Sequence, residues 1–251
     1  MLSITLLILV AIGVQLVGGL VIPSPTCIKV GRFEIRSVDE EDSSTQLLLD
    51  DSIIQMQDIA SGWGNGKHPT TQMCLDFVHE TVKPGATLLD YGTGSGILSI
   101  LALRCGAERA IAVDIDEDSL RAAQKNALLN GYGASRIDVV HTKHVYIGEE
   151  RFPLSDITIA NILPGPLSRL VAPLWGLSKP GARLCLSGMR PAELPAIRNI
   201  YAPFVDLSTE STRQLSHPIF GDWVAWSVSF KVMSEQERRA TRDKLTELAM
   251  E

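Results

Sequence analysis

The sequence predicts an α/β protein with a doubly wound, mostly parallel sheet, and three stretches carry this prediction. In residues 86–98, 111–130 and 155–166, an apolar run typical of a buried strand ends in a polar side chain, and a turn and a helix-compatible segment follow. Repeated strand–turn–helix units of this kind form parallel sheets covered by helices. The carboxyl ends of such strands line one crevice, so we expect their polar side chains to face a common ligand.

The composition favours one globular domain with appendages, since the 251 residues are 45% hydrophobic and 21% charged. A net charge of −6, a pI of about 5.4 and the lack of a basic stripe argue against nucleic acid as a partner. The cysteines are scattered without C-x-x-C spacing, which argues against zinc or any other metal and against a disulfide framework. We therefore expect buried thiols at Cys27, Cys74, Cys105 and Cys185.

The first 22 residues predict a hydrophobic targeting or anchor segment. Residues 2–22 carry no charge and are about long enough to span a bilayer. They are also typical of the hydrophobic part of a signal peptide, although basic residues before it are missing, and a buried core segment is the remaining alternative. We expect an organellar protein, in a plastid or mitochondrion, or one associated with a membrane through residues 2–22.

Residues 23–66 predict a strand or hairpin followed by a loop. Residues 29–36 alternate like one short strand, and residues 45–49 could pair back on it across an acidic turn. The glycine-rich loop at 61–66 carries Trp63, either as a stacking platform or as a core anchor. We place the main domain at residues 67–231.

A helix is predicted from Pro69 to about residue 82, with free N–H groups and threonine hydroxyls at its start. These groups can reach a ligand, although an ordinary capped helix after a flexible loop is the alternative. His68 alone more often has a structural role than a catalytic one.

The stretch around residues 88–98 is the strongest functional signal. Asp90 ends an apolar strand, and Gly92, Gly94 and Gly96 follow at every second position before a helix begins. Glycines allow a sharp turn and a close approach to a ligand. The spacing differs from the G-x-G-x-x-G pattern that binds a pyrophosphate, and a carboxylate here would repel a diphosphate but could hold an ammonium group. D-x-G-x-G-x-G resembles the first motif of class I S-adenosylmethionine (SAM) methyltransferases; a structural turn is the alternative.

Two more strand ends carry candidate site residues. Asp114 follows Gly92 at the distance where the next strand's acid can accept hydrogen bonds from a ribose diol, while Asp116 is a typical N-cap for the helix at 117–130. Asn161 ends the third strand. Its side-chain oxygen and the carbonyls of Ile162 and Leu163 could align an amine whose lone pair faces an electrophilic methyl group. Capping of the next helix is the alternative for Asn161.

The rest of the chain predicts regular elements that complete the sheet. We expect a helix at 167–177, a turn at 179–181, a strand at 183–187, a helix at 191–201, and an antiparallel strand pair at 204–207 and 222–230. Residues 232–251 contain a charged amphipathic helix, predicted to be a solvated appendage.

Five segments in this order resemble the ribosomal protein L11 methyltransferase family: residues 66–71, 90–98, 113–116, 160–167 and 186–189. The resemblance implies a seven-stranded class I methyltransferase fold with an antiparallel C-terminal strand, SAM as cofactor, and helices on both faces. It also implies SAM contacts at Thr71, Gly92, Asp114 and Asn161. Members of the family methylate lysine ε-amines and an N-terminal α-amine, so the implied partner is a lysine-bearing protein.

Two departures from the family pattern bear on the substrate. The loop at 61–66 reads Ser-Gly-Trp-Gly-Asn-Gly where the family has Ala-Phe-Gly-Thr-Gly. Only some 40 residues separate the hydrophobic segment from this loop, so we expect the N-terminal ribosomal-protein recognition domain to be lacking. A related organellar branch without that domain methylates the electron-transfer flavoprotein β-subunit. The alternatives are a methyltransferase for RNA or a small molecule, and a non-catalytic SAM-binding scaffold.

Overall fold

A computed structural model describes residues 14–17, 20–23, 27–38, 51–57, 66, 68–145 and 152–248, with side chains described between residues 28 and 245. The N-terminal strands are β1 (Val14–Val17), β2 (Leu20–Pro23), β3 (Cys27–Val30), β4 (Phe33–Ser37) and β5 (Ile53–Met56). The central elements are α1 (Pro69–Thr81), β6 (Thr87–Tyr91), α2 (Ile97–Arg104), β7 (Arg109–Asp114), α3 (Glu117–Leu129), β8 (Ile137–His141) and β9 (Ser155–Asn161). The C-terminal elements are α4 (Pro164–Leu167), α5 (Val171–Gly176), β10 (Ser178–Met189), α6 (Leu194–Tyr201), β11 (Val205–His217), β12 (Gly221–Phe230) and α7 (Glu235–Leu248).

The main sheet confirms the predicted fold class. Within the described ranges it has seven strands in the order β11-β12-β10-β9-β6-β7-β8. The pairs from β10 through β8 are parallel, and β12 runs antiparallel to both β10 and β11. The carboxyl ends of β6, β7, β9 and β10 therefore meet at one edge, which we call the carboxyl edge; the turn between β11 and β12 lies at the same edge.

Helices cover both faces of the sheet, as the apolar strands require. Leu88 and Leu89 are both fully buried, yet they belong to different hydrophobic clusters, because successive side chains of a strand point to opposite faces. One cluster includes residues of α1 and α2, and the other includes residues of α5 and α6. The strands that end at the carboxyl edge are thus covered by helices on both faces.

The N-terminal strands differ from the prediction. Residues 29–36 are two antiparallel strands, β3 and β4, because Gly31 adopts a φ of 54° that turns the chain back. β5 joins them in a separate sheet, parallel to β4. Asn130 exchanges hydrogen bonds with both backbone groups of Gln55, and Asn126 accepts one from the Gln57 N–H. These two buried asparagines, Asn126 in α3 and Asn130 directly after it, attach the small sheet to the main domain.

Parts of the N-terminal predictions lie outside the described residues, namely the pairing of residues 45–49, Trp63 and most of the loop at 61–66. Within the hydrophobic opening segment, β1 and β2 pair antiparallel. None of the helices in the described part of the chain is long and apolar enough to cross a membrane. The targeting or anchor role of residues 1–22 stays a prediction.

Three predictions in the C-terminal half are wrong in detail. The helix at 167–177 is two short helices, α4 and α5, because Pro173 has no N–H and fits only the first turn of a helix. The turn at 179–181 is an irregular part of the twelve-residue strand β10. β11 runs on to His217 rather than ending near residue 207; its polar, mostly exposed residues lack the apolar signal of a buried strand.

The C-terminal helix α7 forms as predicted, but it is not a free appendage. Arg238 is only 7% exposed and donates hydrogen bonds to the carbonyls of Trp175, Gly176 and Ser178. Its guanidinium carbon lies 4.5 Å from the centre of the Trp175 ring. The buried Arg238 therefore anchors this charged helix to the end of α5.

Candidate active site

The glycine turn has the geometry that its sequence predicts. Gly92, Gly94 and Gly96 all have positive φ, at 81°, 54° and 81°, a region that disfavours residues with a side chain. The N–H groups of Gly92 and Thr93 donate to the carbonyl of Val113 at 2.7 and 3.0 Å, which ties the turn to the end of β7. The turn is thus fixed beside the strand that carries Asp114.

Asp90 is fully buried beneath the turn. Its Oδ2 accepts hydrogen bonds from the hydroxyls of Thr93 at 2.7 Å and Ser99 at 2.8 Å. Its Oδ1 is buried and has no hydrogen-bond partner among the described residues. Burial raises the pKa of this carboxyl to about 6, the two hydroxyls oppose that rise, and the nearby Asp114 adds to it.

Asp114 orders the backbone around the turn. Its carboxylate accepts the N–H of Gly94 at 2.9 Å, of Ile115 at 2.8 Å and of Asp116 at 3.0 Å. A carboxylate has about four acceptor positions, so a further donor such as a ribose hydroxyl can still bind. As predicted, Asp116 rather than Asp114 caps α3, by accepting the N–H of Ser119.

Asn161 lies on the other side of the turn. Tyr91 pairs with Ala160 on one side and with Val113 on the other, so Asn161 and Asp114 occupy the same register position on the strands that flank β6. The Asn161 Nδ2 donates to the hydroxyl of the buried Thr71 at 3.4 Å. The N-cap of α4 is Leu163, so Asn161 does not have the capping role that was the alternative.

Ile162 is wedged between two glycines. A Cβ on Gly92 would lie 2.2 Å from the Ile162 Cγ2, and one on Gly188 would lie 2.3 Å from the Ile162 carbonyl oxygen. The Ile162 N–H donates to the carbonyl of Ser187 at 3.2 Å. The backbone after Asn161 is therefore positioned by the glycine turn and by the end of β10, while Leu163 remains 54% exposed.

These residues fit the two polar ends of SAM. The unpartnered Oδ1 of Asp90 is buried beneath the turn, so it is suited to an ammonium group that reaches it through a bridging donor. The carboxylate of Asp114 can accept from a ribose diol. Space is open within 4 Å of a Cβ built on Gly94, so the turn leaves room for a ligand to approach its backbone. Among the described residues, no group of His, Cys, Asp and Glu side chains could hold a metal ion.

The fold and this arrangement of side chains are those of the class I SAM-dependent methyltransferases. The chain belongs to the ribosomal protein L11 methyltransferase family, whose model, described as "Ribosomal protein L11 methyltransferase (PrmA)", matches residues 29–228. This membership confirms the resemblance noted from the sequence motifs, and with it SAM as the cofactor.

Relatives and solved structures agree with this assignment. The L11 methyltransferase of Burkholderia mallei is 35% identical over 199 residues, which cover 70% of this chain and 64% of that protein. The one from Burkholderia vietnamiensis is 39% identical over 158 residues, covering 63% of this chain and 50% of that protein. The chain thus spans less than two thirds of these relatives.

Among solved structures, the L11 methylase of Lactobacillus delbrueckii subsp. bulgaricus has a TM-score of 0.60 at 29% identity, covering 82% of this chain and 97% of that one. An O-methyltransferase from Bacillus cereus in complex with SAH has a TM-score of 0.53 at 16% identity, covering 76% of this chain and 92% of that one; this likeness shows the fold alone.

Sequence reasoning missed several residues that support the site. Thr93 and Ser99 hold Asp90, and their hydroxyls three and nine residues after a buried acid are a signal that could have been used. Gly188 could be noticed only as part of the resemblance, since its contact with Ile162 is not local. His68 is the N-cap of α1, a structural role that its sequence position allowed but did not specify.

Proposed function

We propose that this protein transfers a methyl group from SAM to the ε-amine of a lysine in an acceptor protein. The observation that carries the proposal is Asn161, a half-buried amide at the carboxyl end of β9, beside the glycine turn and level with Asp114. The first acceptor to test is ribosomal protein L11, because it is named in the relatives' descriptions. The electron-transfer flavoprotein β-subunit is the second.

The side chains divide into two groups by what they do. Bound SAM supplies a methyl group activated by its sulfonium. Asp90, Asp114 and the glycine turn bind and orient the cofactor. On the acceptor side, the Asn161 Nδ2 is directed to Thr71, so its side-chain oxygen is directed elsewhere and can accept an amine N–H, together with the Ile162 and Leu163 carbonyls. Alignment of the amine is the main contribution required of the protein.

The chemistry of Asn161 suits a neutral amine. A lysine has an ordinary pKa of about 10.4 and must lose a proton before it can attack a methyl group. A carboxylate at this position would favour the charged ammonium and raise that pKa, whereas an amide does not. The exposed side chain of Leu163 gives the surroundings an apolar surface, which also disfavours the charged form.

The charge of the chain supports a protein acceptor over RNA. Its net charge is −6, and nucleic-acid-binding domains use clustered Lys and Arg to contact phosphates. A non-catalytic scaffold is disfavoured because the glycine turn, Asp114 and Asn161 are all in place. No observation on the described residues favours a small-molecule acceptor.

The direct test is to incubate the purified protein with methyl-labelled SAM and either purified L11 or purified β-subunit, and to locate the label by mass spectrometry. We expect label on a lysine side chain of one acceptor. Saturable SAM binding with label only in added RNA, or with no transfer to either protein, would contradict the proposal.

The role of Asn161 is tested by Asn161→Ala. We expect kcat to fall about a hundredfold, because the amine loses its alignment, while the Kd for SAM changes by less than about threefold. Asn199→Ala, at an exposed position on α6, is the matched control and should keep the kcat of the unmodified protein. A fully active Asn161→Ala protein would remove this residue from the mechanism.

A further inference from the structure

His68 occupies a junction between the start of α1 and the turn of the β11–β12 hairpin. We propose that His68 is a positioning residue for the acceptor amine: its neutral imidazole fixes the first turn of α1, and through Thr71 it fixes the amide of Asn161. This inference rests on the proposed function for the role of Asn161, but the contacts of His68 do not depend on that function.

His68 caps the start of α1. The His68 Nδ1 accepts the backbone N–H of Thr70 at 3.4 Å and lies 2.8 Å from the Thr70 hydroxyl. His68 itself has an extended backbone, with φ −67° and ψ 138°, as an N-cap residue should. The ring therefore satisfies donors at the start of α1 that the helix cannot satisfy internally.

A slot between aromatic side chains holds the His68 ring. The imidazole packs against Phe220 at 4.9 Å and against Trp223 at 4.7 Å between ring centroids. Trp223 donates from Nε1 to the Phe220 carbonyl at 2.8 Å, and Arg190 donates to the same carbonyl at 2.8 Å while its guanidinium carbon lies 3.8 Å from the Trp223 ring centroid. The hairpin residues Phe220 and Trp223 thus hold the His68 ring, and Arg190, after the end of β10, holds them in place.

Thr71 joins the cap to Asn161 at the amine site. Thr71 follows Thr70 in the first turn of α1, is 3% exposed, and accepts the hydrogen bond from the Asn161 Nδ2 at 3.4 Å. That length is near the upper limit for a hydrogen bond, so a shift of a few tenths of an ångström in the helix start breaks it. Loosening the cap would therefore release the Asn161 amide.

The protonation state of His68 decides whether the cap exists. A neutral imidazole can accept at Nδ1, whereas the protonated ring only donates. Burial lowers the pKa of His68 from 6.5, and Arg190 at the end of β10 and His217 at the end of β11 lower it further by repulsion. The facing hairpin residues Phe220 and Trp223 are uncharged. His68 is thus neutral at pH 7, and the cap is lost as the pH falls through this lowered pKa.

Two substitutions separate capping from packing. His68→Asn keeps a side-chain acceptor at the N-cap but loses the ring, and His68→Phe keeps a ring in the slot but cannot cap. With whichever acceptor is methylated by the unmodified protein, we expect His68→Phe to lower kcat by roughly tenfold to a hundredfold. We expect the kcat of His68→Asn to stay within about threefold of that of the unmodified protein at pH 7.5. As the pH is lowered below 6.5, the variant should retain a larger share of its activity than the unmodified protein does. His144→Asn, an exposed histidine outside this cluster, is the control.

A second readout needs no acceptor. In the cofactor-free protein, the NMR signals of the Asn161 side-chain amide should shift with pH in step with the His68 imidazole, with a midpoint below 6.5, and this step should be absent in His68→Asn. A kcat for His68→Phe equal to that of the unmodified protein, or an Asn161 signal that ignores His68, would overturn the inference. If neither L11 nor the β-subunit is methylated, the proposed function fails, and the NMR titration still decides the role of His68.

Discussion

The cofactor side and the acceptor side of this site are built in different ways. On the cofactor side, Asp90 and Asp114 are held by short hydrogen bonds from hydroxyl and backbone N–H groups of the turn they flank. On the acceptor side, Asn161 makes one long hydrogen bond to Thr71, and Ile162 is held mainly by close packing against Gly92 and Gly188. The cofactor side is thus a polar cradle, whereas the acceptor side depends on shape and on distant elements.

The largest expected effect tests the packing of the acceptor side. In Gly188→Ala, the new Cβ would meet backbone atoms of Ile162 at 2.3 to 2.9 Å, at a residue with φ of 89°. Since backbone cannot move aside as a side chain can, we expect the free energy of unfolding to fall by more than about 3 kcal/mol. We also expect kcat to drop more than SAM affinity. Chemical denaturation and calorimetry measure these quantities.

Gly85→Ala is the matched control for that substitution. Gly85 has a φ of 81° but nothing within 4 Å of a Cβ, so only the backbone strain remains, about 1 kcal/mol. If both alanine variants lose the same stability, then contact with Ile162 does not hold the acceptor side, and the contrast between the two sides disappears.

The next effect tests the buried acid of the cofactor side. The folded pKa of Asp90 is about 6, while an unfolded Asp titrates near 3.9. Between these values, folding takes up a proton, so the contribution of Asp90 to stability falls as pH rises from 4 to 6 and is constant above. The change is about 3 kcal/mol.

Asp90→Asn should remove this slope. We expect the difference in unfolding free energy between the variant and the unmodified protein to shift in favour of the variant by about 3 kcal/mol from pH 4 to pH 7. Asp118→Asn, at an exposed position, should show no such shift. If the difference in unfolding free energy between Asp90→Asn and the unmodified protein is the same at every pH, then the pKa of the buried Asp90 carboxyl is not raised.

The smallest expected effect concerns Asp114. Asp114→Ala removes the acceptor proposed for the ribose diol and frees three backbone N–H groups, so we expect the Kd for SAM to rise roughly thirtyfold, about 2 kcal/mol. At saturating SAM, kcat should change little, because Asn161 is untouched. Calorimetry gives the Kd, and an unchanged value would refute the ribose assignment. The opposite pattern in Asn161→Ala would complete the contrast between the two sides.

Most of the cofactor side could be predicted from the sequence because its contacts are local. Asp90 bonds to residues three and nine positions away, and the glycine spacing itself encodes the positive φ values. The strands ending at Asp90, Asp114 and Asn161 were also predictable, since buried parallel strands read as apolar runs. The length of strand β11 could not be predicted in the same way, because β11 lies at the edge of the sheet, is mostly exposed and therefore lacks an apolar run.

The acceptor side could be predicted only in part. Asn161 was identified at its strand end, but its partner Thr71 lies 90 residues earlier in the chain. The ring of His68 packs against Phe220 and Trp223, more than 150 residues later. The attachment of the small sheet through Asn126 and Asn130 spans 69 and 75 residues. No periodicity or spacing reports contacts of this kind.

The sequence by itself determined the strands that end at Asp90, Asp114 and Asn161, the glycine turn and the acids beside it, since these follow from hydrophobic period, glycine conformations and hydrogen bonds between near neighbours. Only the tertiary structure decided that Gly188 packs against Ile162, that the hairpin turn holds His68, and that Arg238 anchors the last helix. The physical reason is that such contacts depend on which elements the sheet topology brings together. Local patterns of hydrophobicity and glycine do not show which distant elements become neighbours.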